Sequence, residues 1–226
     1  SIPPTLASVI PSIGPVGTSV TLSGSAFGSA GLVTFNGTSA PVISWSNTNI
    51  LVTVPSGASS GPVIVIGDGG ASNGLTFTVT PHISGINPSS GPIDTVVTIF
   101  GTSFGISQGS SNVTIGGTGA VINSWTDTQI LAVVPELAAG SHSVVVTVGG
   151  SSSNSVPFAI LGPVITSLFP WGDKGGSALT IYGSNFGSSQ SSSTVTIGGI
   201  SSAVTSWSDT QIITLSLIHI SEPTRQ

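Results

Sequence analysis

No cysteine occurs in this chain of 226 residues, so no disulfide staples it and each folded unit must stand on its apolar core alone. Methionine is absent too, even at position 1, and the chain opens Ser1-Ile2-Pro3 within a proline-rich stretch. Such an opening is expected of a piece of a longer or processed protein. Charge is scarce: charged residues make up 4%, with two Lys/Arg against seven Asp/Glu and a net charge of −5. Two basic residues cannot neutralise a run of phosphates, which excludes nucleic acid as a partner and a basic attachment to anionic membranes. Long apolar runs are missing as well. Stretches such as Val63–Ile66 and Val144–Val146 fall far short of the roughly 18 residues that a spanning helix needs, so no direct membrane insertion is expected of this segment.

What remains is glycine, proline and β-formers. The 31 Gly and 15 Pro are about a fifth of the chain, below the roughly 25–30% that marks low complexity. Val, Ile, Thr and Phe fill the intervals between them, which is the composition of short strands joined by many turns. Ser, Thr, Asn and Gly must then cover the surface.

The chain repeats itself. Ser23-Gly24-Ser25-Ala26-Phe27-Gly28 returns as Phe100-Gly101-Thr102-Ser103-Phe104-Gly105 and as Tyr182-Gly183-Ser184-Asn185-Phe186-Gly187. Val33-Thr34-Phe35-Asn36-Gly37 returns at Val113 and Val195, and Ser44-Trp45-Ser46-Asn47-Thr48 at Ser124 and Ser206. The opening Pro11-Ser12-Ile13-Gly14-Pro15 returns as Pro88-Ser89-Ser90-Gly91-Pro92 and loosely as Pro170-Trp171-Gly172. A period near 80 residues is too long for a solenoid unit and fits a compact sandwich. Alternation such as Val20/Leu22 against Thr21/Ser23, with turn residues every 8–12 positions, predicts about seven strands per repeat and no helix. The expected fold class is therefore all-β, in units spanning 4–80, 81–161 and 162–214.

The last segment breaks register. By the spacing from Trp45 to Val54-Pro55, a Val-Pro is due at 216–217, where the chain reads Ser216-Leu217. From Leu215 to Arg225 the sequence resembles the translation of a transposase adapter used in sequencing libraries. Residues 215–226 are accordingly expected to be a non-native tail, and the third repeat to lack its last two strands.

The opening P-x-x-G-P, the G-[ST]-x-F-G turn, the V-T-[FI]-x-G strand and the [ST]-D-T-Q-I…V-P segment, in fixed order, resemble the IPT/TIG family. These are immunoglobulin-like domains shared by plexins, some transcription factors and many bacterial surface proteins. The resemblance covers essentially residues 4–214. It implies tandem immunoglobulin-like β-sandwiches of the E-set type, usually outside the cell, and it does not specify a ligand.

Chemistry-bearing residues are few. Trp45, Trp125 and Trp207 each stand between Ser and an Asn/Asp-Thr turn; that setting points to an anchor at a strand end rather than to a stacking platform for sugars. Asn47, Asp127 and Asp209 are expected to make local turn bonds, and Phe27, Phe104 and Phe186 to plug the core. Trp171 lies outside the repeat pattern, in the loop Trp171-Gly172-Asp173-Lys174, and is the one candidate binding residue, for a carbohydrate or a neighbouring domain. His82 and His142 lack a nearby acid cluster, Asp68-Gly69-Gly70 reads as a hairpin turn, and Glu136 has no second carboxylate in its repeat. No metal site, cofactor, catalytic triad or paired-carboxylate chemistry is expected. The leading expectation is a non-catalytic structural or adhesive stalk of a bacterial cell-surface or secreted protein, its partners being neighbouring domains of the same chain, a carbohydrate or a surface protein. The alternative is a carbohydrate-binding accessory module of a secreted polysaccharide-active enzyme.

Overall fold

The computed structural model describes residues 2–170 and 177–215. They contain no helix and fold as successive β-sandwich units. The first unit runs β1 (Thr5–Ile10), β2 (Ile13–Gly14), β3 (Ser19–Ser25), β4 (Leu32–Phe35), β5 (Thr38–Ser39), β6 (Val42–Trp45), β7 (Asn49–Thr53), β8 (Gly61–Gly67), β9 (Gly70–Ala71) and β10 (Leu75–Val79). The second repeats it as β11 (His82–Asn87), β12 (Ser90–Gly91), β13 (Val96–Thr102), β14 (Asn112–Ile115), β15 (Thr118–Gly119), β16 (Val121–Trp125), β17 (Gln129–Val133), β18 (Gly140–Val148), β19 (Ser151–Ser152) and β20 (Val156–Ile160). The third comprises β21 (Val164–Phe169), β22 (Ala178–Ser184), β23 (Val195–Ile197), β24 (Ile200–Ser202), β25 (Val204–Trp207) and β26 (Gln211–Leu215). If the two-residue strands are set aside, units one and two each have the seven strands that the alternation predicts.

Each complete unit packs a four-stranded sheet, ordered β1-β3-β7-β6 in unit one, against a second sheet ordered β2-β10-β8-β4-β5. Unit two has the same arrangement, β11-β13-β17-β16 over β12-β20-β18-β14-β15. Period two puts Val20 and Leu22 of β3, Ile50 and Val52 of β7, and Val63 and Val65 of β8 into one core, with Phe35 and Phe77 edge to face at 5.1 Å between ring centroids. Unit two has a separate core around Val97, Ile99, Ile115, Val146 and Phe158. The intervening side chains point to water, as expected of antiparallel sheets covered on one face.

Unit three keeps the four-stranded sheet, β21-β22-β26-β25, but among the described residues its second sheet is only the pair β23-β24. Among the described residues no counterpart of β18 or β20 lies over its core, and the exposures differ accordingly. Leu6 and Ile83 occupy the same register position in β1 and β11, and both are 2% exposed; the corresponding Ile165 is 61% exposed. An open cleft of about 540 Å³ results, lined by Phe186, Val195, Trp207 and Ile212 of unit three and by Ile93 and Leu137 of unit two. The strand β26 ends at Leu215, paired with Ala178; the adapter-like residues beyond it lie outside the described residues.

A half-covered core gives little cooperative protection. Hydrogen exchange on the whole chain should therefore show amides of 178–215 exchanging much faster than the corresponding amides of 96–133. Equal protection in the two stretches would mean that unit three closes its core by other means.

Candidate functional site

The recurring motifs build one local device, seen three times. The chain leaves β3 through Gly24-Ser25-Ala26-Phe27-Gly28 and crosses to the other sheet. In unit two a Cβ on Gly101 would stand 2.1 Å from the His82 carbonyl oxygen and 2.3 Å from the Phe104 ring, so only glycine lets that ring fold back over the strand. The turn itself needs left-handed backbone: Ala26, Ser103 and Asn185 have φ of 58°, 60° and 60°, and the following Gly28, Gly105 and Gly187 have 77°, 85° and 87°. These conformations send Phe27, Phe104 and Phe186 into the core, where all three are buried.

The Trp segment locks this turn. Trp45 Nε1 donates to the Gly28 carbonyl (3.2 Å), Trp125 Nε1 to that of Phe104 (2.9 Å) and Trp207 Nε1 to that of Phe186 (3.1 Å). The indoles are half-buried and meet the Phe rings edge to face, at 6.4 Å for Phe104–Trp125 and 6.3 Å for Phe186–Trp207. The side chains of Asn47, Asp127 and Asp209 were expected to bond within their own turns. They instead reach across to accept from the backbone N–H of Gly28 (3.0 Å), Gly105 (2.9 Å) and Gly187 (3.1 Å). The local turn bonds belong to Ser46, Thr126 and Ser208, whose hydroxyls donate to the carbonyls of Asn49, Gln129 and Gln211. The three repeated Trp are therefore engaged in architecture, and the indole N–H is not available to a ligand.

Among the described residues no group of three or more His, Cys, Asp and Glu could hold a metal. His142 bonds the Ala138 carbonyl at 2.8 Å, and Glu136 accepts from Ser192 of unit three. Asp68-Gly69 forms the tip of the β8–β9 hairpin. Trp171 lies outside the described residues. A pair of asparagines that the sequence reading passed over is structural: Asn73 and Asn154 each bond both backbone groups of one residue in the first strand, Leu6 and Ile83, at 2.8–3.0 Å.

The aromatic side chains that do face solvent on regular strands lie on the outer face of the four-stranded sheets. Phe169, at the end of the edge strand β21 opposite Thr180, is 65% exposed; on the inner strands stand Phe100 of β13, 43% exposed, and Tyr182 of β22, 41% exposed. The direct cross-strand neighbours of these last two are Gln129 and Gln211, and on the other side Gly85 and Ser167. In unit one the same register position holds Ser23, opposite Asn49.

If the Trp segment locks the crossover, Trp125→Ala should destabilise unit two by roughly 3–5 kcal/mol. Asp127→Ala, which strips an acceptor from the Gly105 N–H, should cost about 1–3 kcal/mol. Hydrogen exchange resolved by unit checks both: amides of 82–160 should lose protection while those of 5–79 do not change. A loss spread evenly over both units would show that the lock is not local.

The model of the IPT/TIG domain matches residues 4–79, 81–160 and 163–225. The cyclomaltodextrin glucanotransferase of Niallia circulans is 42% identical over 81 residues, which are 35% of this chain and 11% of that enzyme. That of Paenibacillus macerans is 36% identical over 117 residues, 45% of this chain and 16% of the enzyme. The chain thus spans well under a fifth of the length of the curated relatives it matches. Among solved structures, a protein crystallised with a xylogluco-oligosaccharide aligns with 98% of this chain and 56% of its own, at 19% identity and a TM-score of 0.49. The surface glycan-binding protein PbSGBP-B of Prevotella bryantii aligns with 70% of this chain and 42% of its own, at 20% identity and a TM-score of 0.43. Three matches to one domain model, laid end to end over a threefold repeat of one turn-and-lock device, establish the family: the chain belongs to the IPT/TIG domain family and carries its domains in tandem.

Proposed function

We propose that this chain is a non-catalytic, carbohydrate-binding accessory segment of a larger secreted or surface-exposed bacterial protein that captures or processes polysaccharide. The observation that carries this reading is the stretch 42% identical to part of a cyclomaltodextrin glucanotransferase, which makes up only 11% of that enzyme. A unit that small beside a glucan-converting enzyme's remaining bulk is an accessory to the chemistry. The residues here agree with that role: Asp127, Asp209 and His142 bond backbone groups, and Asp94 and Glu136 accept from serines of unit three. The net charge of −5 directs the expectation towards neutral glycans, because a polyanionic polysaccharide would be repelled.

The stalk reading survives as a second role for the same chain. Only Thr80-Pro81 separates β10 from β11, and only Leu161-Gly162-Pro163 separates β20 from β21. Links that short, each with a proline, hold neighbouring units at a restricted spacing, so an array of them would both project a distal domain and repeat a binding face.

Affinity electrophoresis in gels containing a neutral glucan tests the carbohydrate reading. The chain should be retarded by a neutral glucan and not by a polyuronate, and it should release no sugar from either. Unretarded migration through α- and β-linked neutral glucans alike would leave only the spacer role.

A further inference from the structure

We propose that the outer faces of the four-stranded sheets in units two and three each carry a sugar-ring subsite, made of the aromatic–carboxamide pairs Phe100/Gln129 and Tyr182/Gln211. This deepens the carbohydrate reading above and rests on it. The two pairs are the same pair: Phe100 stands directly opposite Gln129 in the β13–β17 ladder, and Tyr182 directly opposite Gln211 in the β22–β26 ladder. Side chains directly opposite each other in an antiparallel pair project from one face, with their Cβ atoms roughly 4.5–5.5 Å apart. Each pair therefore offers an apolar ring and an amide within the span of one pyranose.

Three observations separate this arrangement from ordinary sheet decoration. The rings keep 43% and 41% of their surface in solvent, on strands whose inward neighbours Ile99 and Ile181 are buried. Among the described residues neither Gln129 nor Gln211 has a side-chain hydrogen-bond partner, which leaves a donor and an acceptor on each amide for a ligand hydroxyl. The far side of each ring is flanked by a small residue, and beside Gly85 a Cβ would meet nothing within 4 Å. Unit one supplies the internal contrast. There Ser23 Oγ donates to Asn49 Oδ1 at 2.8 Å, so the same position holds no ring and its polar pair satisfies itself.

The chemistry that fits such a pair has an apolar face bounded by hydroxyls. A neutral glycan answers that description: its axial C–H groups lie on an aromatic face while an equatorial hydroxyl meets the amide. Two such subsites on one chain would bind a polymer more tightly than either alone, because the second contact is made at high effective concentration.

The test uses the full chain, with isothermal titration against maltoheptaose and cellohexaose and affinity electrophoresis in the matching polymers. Phe100→Leu and Tyr182→Leu keep apolar cover on the sheet but remove the ring; each should weaken binding to the polymer about tenfold, and the double variant more than either. Phe100→Trp should retain binding, and thermal unfolding should be unchanged throughout. Installing the pair in unit one, with Ser23→Phe and Asn49→Gln together, should tighten binding several-fold. If the parent chain binds glucan and the double Leu variant binds it equally well, the subsites are wrong while the carbohydrate reading stands. If the parent chain binds neither glucan, both fall. A Leu variant that loses binding only in proportion to a fall in unfolding temperature would also overturn the subsites, since the ring would then be serving the sheet.

Discussion

Everything in these units hangs on one crossing. The chain must leave the four-stranded sheet at the end of β3, β13 or β22 and enter the opposing sheet, and with no cysteine available that passage is closed by packing and hydrogen bonds alone. The Phe ring can fold back over the strand only because Gly24, Gly101 and Gly183 have no side chain, and it can point inwards only because the residue before it and the glycine after it accept left-handed backbone. The N–H groups that this bend strips from the sheet ladder are recovered from a second loop. Phe104 N–H finds the Asp127 carbonyl at 3.1 Å, Gly105 N–H finds the Asp127 carboxylate, and Gly101 N–H finds the Thr128 carbonyl at 3.0 Å. The indole covers the outside of the bend. A buried bend without those acceptors would leave several unpaired donors, each worth on the order of 1–3 kcal/mol, so the G-[ST]-x-F-G and [ST]-W-[ST]-[ND]-T segments make sense only as a pair.

That coupling explains what could be read from the sequence and what could not. The strands were legible because one face of each is buried, which imposes period two, and because the repeats multiply the evidence. The Trp residues were legible as anchors from their Ser and Asn/Asp-Thr flanks. Which group Asp127 bonds was not legible. Turn chemistry predicts a partner two residues away, whereas the partner is Gly105, twenty-two positions back, and nothing local encodes a contact made by the closing of two loops. Asn73 and Asn154 were missed for the same reason: their partners Leu6 and Ile83 lie 67 and 71 residues away. The exposed aromatics were a different omission. Ser23, Phe100 and Tyr182 head the three copies of the turn motif, and their alternation with the buried Leu22, Ile99 and Ile181 already assigns them to the outer face. What the alignment of repeats cannot supply is the cross-strand register that sets Gln129 and Gln211 beside them.

The low charge of the chain and the position of these rings belong together. A surface of Ser, Thr, Asn, Gln and Gly offers many short-range hydrogen-bonding groups, and what long-range field it has is negative, from a net charge of −5. Such a surface repels polyanions, nucleic acid included, but it matches a neutral polyhydroxylated ligand, whose recognition depends on stacking and on many individually weak polar contacts. Exposed aromatics on such a face cost little in solubility while the patch stays small: Phe100 has Gln129 and Gly85 beside it, and Tyr182 has Gln211 and Ser167, with Phe169 two positions along the edge strand.

Unit three shows how far the sandwich depends on having both sheets. Its crossover lock is intact: Trp207 bonds the Phe186 carbonyl, Asp209 bonds the Gly187 N–H, and the two rings meet as they do in unit two. Its first strand is also registered on the second as in the other units, down to the bulge between Ile165 and Ser167. Yet Ile165 and Leu168 stand in solvent, and among the described residues of the unit the buried apolar side chains are Ile181, Phe186, Val195 and Ile212. Local motif and sheet register are therefore set by short segments and survive on their own, whereas burial is a property of the pair of sheets. At roughly 25 cal/mol for each Å² of apolar surface removed from water, the long strands corresponding to β18 and β20 contribute most by what they cover on the facing sheet. The tight lock and the open core in one unit mark the boundary between the part of this fold that sequence motifs encode and the part that only a closed sandwich supplies.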